Sequence, residues 1–546
     1  MDSPSFFTQN KRALDRADPT LAARISAHGN KARYHFVLAR SGAVVPAFID
    51  SAGIARPLHS TVNPEREARR LIHDTDGEGY LIFLGLGGGF APAAALEHEG
   101  IRHVLVIDYD LPGLAELLTA KLYTMLFNDP RFRLIVDEEP AQIERLIKES
   151  YQPLLAGGIR LLPLRTRIAQ DTEHFAQAAG AVQAAVSAVK GDYATQAFFG
   201  KRWFSNTIRN VLCVQDQAFP AVAGRTVTIC AAGPSLDQHL ERLLRCRAPR
   251  FILAVDTSLP VLLSVGLIPD AVISLDAQHI SYQHFLAGLP AHTALYLDLA
   301  GSPVIATQSK HPAFFAGSHP LSRYISRFWH PLAELDTSGG NVGYAAVSLA
   351  DYLGAERIEL VGADFSYPKG KAYARGTYVW SLFSQNQSRF NPLESALSAL
   401  VYRSAAVRKV VNAATWYYQT PLLEGYRRAL ECKIAALDLP VYQAAGEGAP
   451  LTLPRHTKRA QAPLNCQRRQ PSPTERALSP YDFLATYRDQ LQTVDPADHK
   501  LSALLATILP TAASFQQELP HLTGADLIDL TRHWCIKKIE NLMTVR

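Results

Sequence analysis

The sequence predicts an α/β protein of two Rossmann-like, doubly wound domains followed by a small helical domain. Three observations carry this expectation. Short apolar runs rich in β-branched residues alternate with helix-like stretches, first over 80–163 and again over 226–361. A glycine turn follows the first run of each series, at Gly85 and at Gly233. The length of 546 residues exceeds one ordinary domain, and 47% apolar against 19% charged residues supplies packed cores.

Residues 1 to about 60 read as a small irregular or β-rich start, in which YHFVLARSG and AVVPAFIDSAG pair as strands. YLIFLGLGGG at 80, a helical stretch and then HVLVIDYD give the strand, turn, helix, strand order of a parallel sheet. RLIVD at 133 and IRLLPL at 159 extend it, and the alanine-rich segment 165–216 reads as a connecting helix. A second series follows, with strands at 226–231, 251–255, 271–275, 294–299 and 357–361. Residues 394–436 read as helical, and a basic, proline-bearing linker runs to 476. The expected domains are therefore 1–200, 201–452 and 477–546, with 453–476 as the linker.

Composition excludes several classes. Fifty-five basic against 50 acidic residues leave a net charge of +5, too mild to require nucleic acid. The six cysteines form no C-x-x-C pair, which fits reduced thiols and neither a disulfide framework nor a zinc site. The polar N-terminal stretch is not a signal peptide, and no run of eighteen apolar residues occurs to span a bilayer. A cytoplasmic protein without membrane contact is expected.

At Gly85, Gly87, Gly88 and Gly89 the backbone could approach a nucleotide or S-adenosylmethionine, with Asp108 on a ribose hydroxyl. The spacing misses G-x-G-x-x-G, and the same glycines serve tight helix–strand packing. The second series carries the stronger constellation, because ligands of open parallel sheets sit beyond the strands' carboxyl ends. Those ends read Gly233-Pro234-Ser235-Leu236, Asp256-Thr257-Ser258, Asp276-Ala277-Gln278 and Gly362-Ala363-Asp364-Phe365. Each polar residue alone is a helix cap; together they point to a ligand. Gly233 permits a tight turn and Pro234 suits a first helical position, so the amides of Ser235 and Leu236 are expected free for a phosphate. No G-x-x-x-x-G-K-[ST] occurs, which excludes a P-loop NTPase. Ser338-Gly339-Gly340-Asn341 forms a second glycine turn able to cradle a ligand. Beyond Asp364, Tyr373 and Arg375 stand out from a loop that also holds Tyr367, Lys369 and Lys371, a set suited to a diphosphate or a carboxylate-bearing sugar.

AAGPSL, AVDTSLPVLLSVGLIPDAVISLD and SGGNVGYAAVSLADYLGAERIELVGADFSY resemble the domain of the motility-associated factor family. That domain is also called the MptE-like 6-hydroxymethylpterin diphosphokinase domain. His59-Ser60 with Asn63 to Ala68 is similar to the family's HS-x-x-x-P-x-x-E-A segment, and YQAAGEGAPL at 442–451 to its closing motif. The resemblance runs from about 55 to 452. It implies a central domain related to sialyltransferases that use CMP-sugars, with Gly233, Pro234, Ser235, Asp256, Asp276, Ser338, Gly339 and Asp364 lining the nucleotide pocket. Thr257 and Gly340 join that nucleotide-binding set by adjacency, while Asp276, Asp364, Tyr373 and Arg375 are the catalytic candidates.

The implied reaction moves a nonulosonic acid, of pseudaminic or legionaminic type, from a CMP-activated donor to Ser or Thr of flagellin. Many relatives have a histidine after the strand-end Asp, where this chain reads Lys371-Ala372-Tyr373, and no histidine lies between His330 and His456. That leaves Asp276, Asp364 or His279 as the base. Two other functions stay open: a pterin diphosphokinase using ATP and Mg²⁺ on Asp256, Asp276 and Asp364, and a flagellin-binding protein without chemistry. Methyl transfer at the Gly85 turn ranks last. The protein needs no fixed metal or cofactor beyond its donor in the first reading, Mg²⁺ stays open, and so does the oligomeric state.

Overall fold

The computed structural model describes residues 5–27, 33–49, 53–75, 77–215, 222, 224–246, 248–404, 406–412, 415–454, 478–495 and 502–544. The expected linker lies outside these residues apart from Leu453 and Pro454. Two compact units emerge, and the boundary falls between Phe198 and Phe199, inside the helix Thr172–Val211. Among the described residues no helix is long and apolar enough to cross a membrane.

In the first unit, β1 (Tyr34–Leu38), β2 (Val44–Ile49) and β3 (Ala55–Pro57) form an antiparallel meander, with Tyr34 opposite Phe48. The expected pairing is present. Two helices precede it, Phe6–Ala17 and Pro19–Ala27, where an irregular start was expected. Ser5 caps the first through the Thr8 amide, and its Asn10 is wholly buried. That side chain donates to the Leu118 and Lys121 carbonyls at 2.8 and 2.7 Å and accepts from the Tyr123 amide at 2.7 Å. A buried amide with every partner supplied fixes this helix on its unit.

β4 (Tyr80–Leu84), β5 (His103–Asp108), β6 (Phe132–Val136) and β7 (Ile159–Pro163) make a parallel sheet in the order β6-β5-β4-β7. Alternate residues of β4 serve two cores: Leu81 and Phe83 on one face, Tyr80, Ile82 and Leu84 on the other. The chain reverses its direction of strand addition between β4 and β7, where a doubly wound sheet opens its crevice. Here the protein's own side chains fill that crevice. Arg167, wholly buried, donates to Asp108 Oδ1 at 2.6 Å and to the Tyr109 hydroxyl at 2.8 Å. Asp108 Oδ2 accepts the Leu86 amide at 2.9 Å, and a Cβ on Gly85 would stand 2.6 Å from Arg167 Cγ. His59 Nε2 accepts the Gly88 amide at 2.8 Å, while Tyr123 and Lys121 donate to the Gly87 and Gly88 carbonyls. The ribose and methyl-donor reading of this turn is therefore corrected: its acid holds an arginine, and its glycines make room for His59 and Arg167. Ser60, beside His59, accepts from the Val62 and Asn63 amides, and its own amide donates to Glu67. The HS…P…EA segment is thus a helix start tied to the glycine turn.

The second unit holds β8 (Thr226–Cys230), β9 (Arg250–Val255), β10 (Ala271–Ser274), β11 (Ala294–Asp298), β12 (Ala313–Ala316), β13 (Ala333–Glu334) and β14 (Arg357–Val361). Three hairpin strands follow, β15 (Tyr367–Pro368), β16 (Arg408–Val411) and β17 (Trp416–Gln419), and then β18 (Val441–Gln443). Eight of these form one parallel sheet in the order β13-β12-β11-β10-β9-β8-β14-β18. The expected strands are all there, and β12, β13 and β18 extend the edges. Segment 394–436 departs from its helical expectation: helix Leu393–Val401 gives way to the antiparallel β16 and β17 before helix Pro421–Ala435. The runs RKVV and WYYQ are β-branched and aromatic, and pair better than they coil.

The expected C-terminal helical region is present, and by its contacts Ala512–Asp529 groups with the first unit, Ser502–Thr511 and the described residues from Leu530 with the second. Helix Pro480–Gln492 packs on the second unit, Phe483 stacking on Trp329 at 4.8 Å and Trp329 Nε1 donating to the Leu478 carbonyl at 2.8 Å.

Two asparagines one turn apart on helix Thr172–Val211 hold the loops that follow β10 and β11. Asn206 donates to the Ala277 and Ala300 carbonyls at 3.0 and 3.2 Å, and Asn210 to those of Leu299 and Gly301, each at 2.9 Å. Both side chains are buried, so each loss strands two carbonyls away from water.

Two predictions follow from these contacts. Asn206→Ala should destabilise the protein by about 2 kcal/mol in urea unfolding; a change under about 0.5 kcal/mol would discount the clamp. Burial, helped by Lys121, holds His59 down at about 4. Its folded value lies below the unfolded value near 6.5, so its contribution is complete above about pH 6.5 and declines as pH falls through about 4, by up to about 3 kcal/mol. The stability gap between the wild type and His59→Gln should therefore narrow on acidification, and parallel pH curves would refute this.

Candidate active site at the strand ends of the second sheet

The chain reverses its order of strand addition between β8 and β14, so the turn after each strand meets the other. Pro234 opens a five-residue 3₁₀ turn, Pro234–Gln238. Its amides are not free. Ser235 N donates to Asp364 Oδ2 at 2.8 Å and Leu236 N to the Gly233 carbonyl at 3.0 Å, so the open phosphate cradle expected here is replaced by a closed joint. A Cβ on Gly233 would stand 2.4 Å from that same carboxylate oxygen. The segment after β18 presses on the joint: a Cβ on Gly448 would meet Asp364 Oδ1 at 2.6 Å, one on Gly446 the Ser235 Cβ at 2.8 Å, and Ala449 N donates to the Asp364 carbonyl. Ser235 and Asp364 are 4% and 3% exposed, and burial raises the Asp364 carboxyl above its ordinary value. Gly233, Pro234, Ser235 and Asp364 thus stand together as a packed hinge of three strand-end turns.

A second set of polar groups stands one and two strands along. Asp256, 2% exposed at the end of β9, accepts from the Thr257 amide at 2.7 Å, the Thr257 hydroxyl at 3.1 Å and the Ser274 hydroxyl at 2.6 Å. Three donors lock its orientation and bring Thr257 to the half-buried surface. Asp276, half-buried beyond β10, accepts the Gln278 amide at 2.9 Å.

Next to these stands a residue that sequence reasoning missed. His284, in the 3₁₀ segment His279–Phe285, is 8% exposed, its Nε2 lying 3.5 Å from Thr257 Oγ1 and its ring edge-on to Tyr378 at 4.8 Å. Burial pushes the imidazole below its ordinary value, while Asp256 and Asp276 pull it up. The available signal was its place eight residues past Asp276 on the same strand-end loop. His279, the histidine singled out there, is exposed and lies 3.5 Å from Ser302 Oγ.

Tyr373 stands within electrostatic reach of Asp256 and of the phenols of Tyr367, Tyr378 and Tyr426. Burial raises its phenol above the ordinary value, with Arg403 opposing and Asp256 adding. Tyr426 in turn lies against Gly340, where a Cβ would come 3.2 Å from its ring. The Ser338-Gly339-Gly340 turn therefore borders Tyr426, though the Ser338 polar groups are committed to Asp336. The Ser338 amide and hydroxyl donate to Asp336 Oδ1 at 3.0 and 2.7 Å, Tyr344 donates to Oδ2 at 2.6 Å, and Lys433 pairs at 3.3 Å. Burial raises the Asp336 carboxyl, but these donors outweigh it and hold it at about 2. Gly339 lies flat against Tyr344, a Cβ there meeting the ring at 2.1 Å. Arg375 is set apart: its amide donates to Asp237 at 3.2 Å, and its guanidinium lies 5.8 Å from the Trp380 ring. Asp256, Thr257, Asp276, Tyr373, Tyr378 and His284 thus make one polar face, with Arg403 as a neighbouring cation. Among the described residues, no three His, Cys, Asp or Glu side chains stand together as a metal-binding group.

Residues 205–370 match the model of the 6-hydroxymethylpterin diphosphokinase MptE-like family. An uncharacterised protein of Treponema pallidum (strain Nichols) is 36% identical over 149 residues, 27% of this chain and 52% of its own length. Another from the same organism is 31% identical over 147 residues, 26% of this chain and 70% of its own length. The chain spans about half the length of the first of these relatives. A solved MAf glycosyltransferase from Magnetospirillum magneticum AMB-1 shares the fold at a TM-score of 0.56 and 13% identity, over 98% of this chain and 90% of that one. With its strand-end turns, its matched segment and a relative covered over most of its length, the chain belongs to the 6-hydroxymethylpterin diphosphokinase MptE-like family.

Proposed function

We propose that this protein is a glycosyltransferase that moves a nonulosonic acid from a CMP-activated donor to serine or threonine hydroxyls of flagellin. The observation that carries the reading is the polar face beyond β9 and β10, where Asp256 holds Thr257, His284 lies next to Thr257, and the ring of Tyr378 stands edge-on to His284. The likeness to a MAf glycosyltransferase supports it at the level of fold. In the transfer, the acceptor oxygen forms a bond to the anomeric carbon of the sugar as that carbon's bond to the phosphate oxygen of CMP breaks. The electron pair leaves with CMP, and the hydroxyl proton passes to a base on the protein. Tyr373 and Tyr378, their burial keeping them protonated, would donate to the departing phosphate.

The matched family model is named for a pterin diphosphokinase, which keeps a second reaction in view: diphosphate transfer from ATP to a hydroxymethylpterin with Mg²⁺.

Calorimetric titration of the purified protein with CMP, and with ATP in the presence and absence of Mg²⁺, tests the two readings. CMP should bind without metal, and Asp276→Ala should weaken it at least tenfold, about 1.4 kcal/mol, with the melting temperature unchanged. Mg²⁺-dependent ATP binding with no CMP binding would replace the transferase by the kinase.

A further inference from the structure

His284 is a buried imidazole whose polar atoms have almost no committed partner. Its Nδ1 is fully enclosed and has no hydrogen-bond partner. Its Nε2 reaches only Thr257 Oγ1, at 3.5 Å, the outer limit of a hydrogen bond. A buried polar group left in this state is unfavourable unless a ligand completes it. The surroundings are those of a proton-transfer group. Thr257, half-buried, is held by Asp256, which Ser274 fixes from the neighbouring strand. Tyr378 covers one side of the ring, and the carboxylates of Asp256 and Asp276 both act on it.

Resting on the transferase reading, we infer that His284 is the base of this site: its imidazole, seated against Thr257 and Tyr378 and facing the Asp256 and Asp276 carboxylates, takes the proton of the acceptor hydroxyl. The acceptor O–H breaks as its oxygen bonds to the anomeric carbon, the proton goes to the imidazole, and the C–O electron pair leaves on the phosphate of CMP. No oxidant, reductant or metal enters the balance. Asp256 and Asp276 stabilise the imidazolium that forms, and Nε2, not held by any short hydrogen bond, is the nitrogen that takes the proton. This assigns the base to the loop after β10, on the same strand end as Asp276, and leaves Asp364 to the hinge.

Burial keeps the imidazole neutral at neutral pH, as a base requires. Activity should therefore fall only on the acid side, as pH drops through a value below the ordinary histidine range. The groups that face the ring and set this value are Asp256, Asp276, Thr257 and Tyr378.

The test uses the full chain with a CMP-activated nonulosonic acid and flagellin, and CMP alone as the binding probe. His284→Gln should bind CMP within about twofold of the wild type and melt at the same temperature, while transfer falls at least a hundredfold and the acid limb of the kcat profile disappears. Added imidazole should restore part of the transfer in His284→Ala. Transfer at the wild-type rate, an unchanged acid limb, or a loss of CMP affinity matching the loss of rate would each overturn the assignment. A wild-type protein that binds CMP and transfers the sugar, beside a fully active variant, removes His284 alone. A wild type that neither binds CMP nor transfers removes the transferase reading and this assignment with it.

Discussion

The Asp364 carboxylate accepting the Ser235 amide is the constraint on which the strand-end face of the second unit depends. Where a parallel sheet reverses its order of strand addition, two loops separate and the crevice between them stays open. In this unit one buried carboxylate draws the loops after β8 and β14 together, and the segment after β18 closes over both. Gly233, Gly446 and Gly448 are glycines because each approaches that carboxylate or the Ser235 side chain closer than any Cβ tolerates. Gly362 is so for two reasons, a φ of 72° and a Cβ position 2.3 Å from the Ala231 carbonyl. With these turns committed to one another, the half-buried Thr257 and Asp276 lie along the sheet at β9 and β10.

The first unit reaches the same result by other chemistry. Its point of reversal, between β4 and β7, is filled by a guanidinium paired with Asp108. An arginine with no exposure carries a large desolvation penalty, which the short bonds to Asp108 and Tyr109 offset. The turn keeps the shape of a nucleotide site, occupied by the chain itself. Glycine at a strand end reports only that something comes close, and the sequence around Gly85 cannot say whether the visitor is a ligand or Arg167, some eighty positions downstream.

Much of the fold was legible because strands buried on both faces read as continuous apolar runs, as in YLIFL, VLVI and FILAV. The edges were less so: AE in β13 and VYQ in β18 are too short for any periodicity, and the β16–β17 hairpin lies among helix formers. Helix Phe6–Ala17 seats Ala13 and Leu14 in the core and is fixed further by a buried asparagine, and Asn10 looks like any surface residue in sequence. At the site, strand ends named Asp256, Thr257 and Asp276, since position along a parallel strand is a sequence property. Which of the polar residues face one another is not. Ser235 and Asp364 turned to each other, Ser338 turned to Asp336, and His284 entered from a loop whose fold no pattern declares.

The pair Asn206 and Asn210 makes a gauge of the helix that bears it. An α-helix turns about 100° per residue, so four residues bring the two amides back to one face, about 6 Å apart. Each spans carbonyls that belong to the loops after β10 and β11, or to two points of one loop. A single residue inserted or lost between them would swing one amide a quarter-turn away and break both of its bonds at once. Length variation within that turn is therefore excluded, and the helix acts as a template against which two strand-end loops are measured.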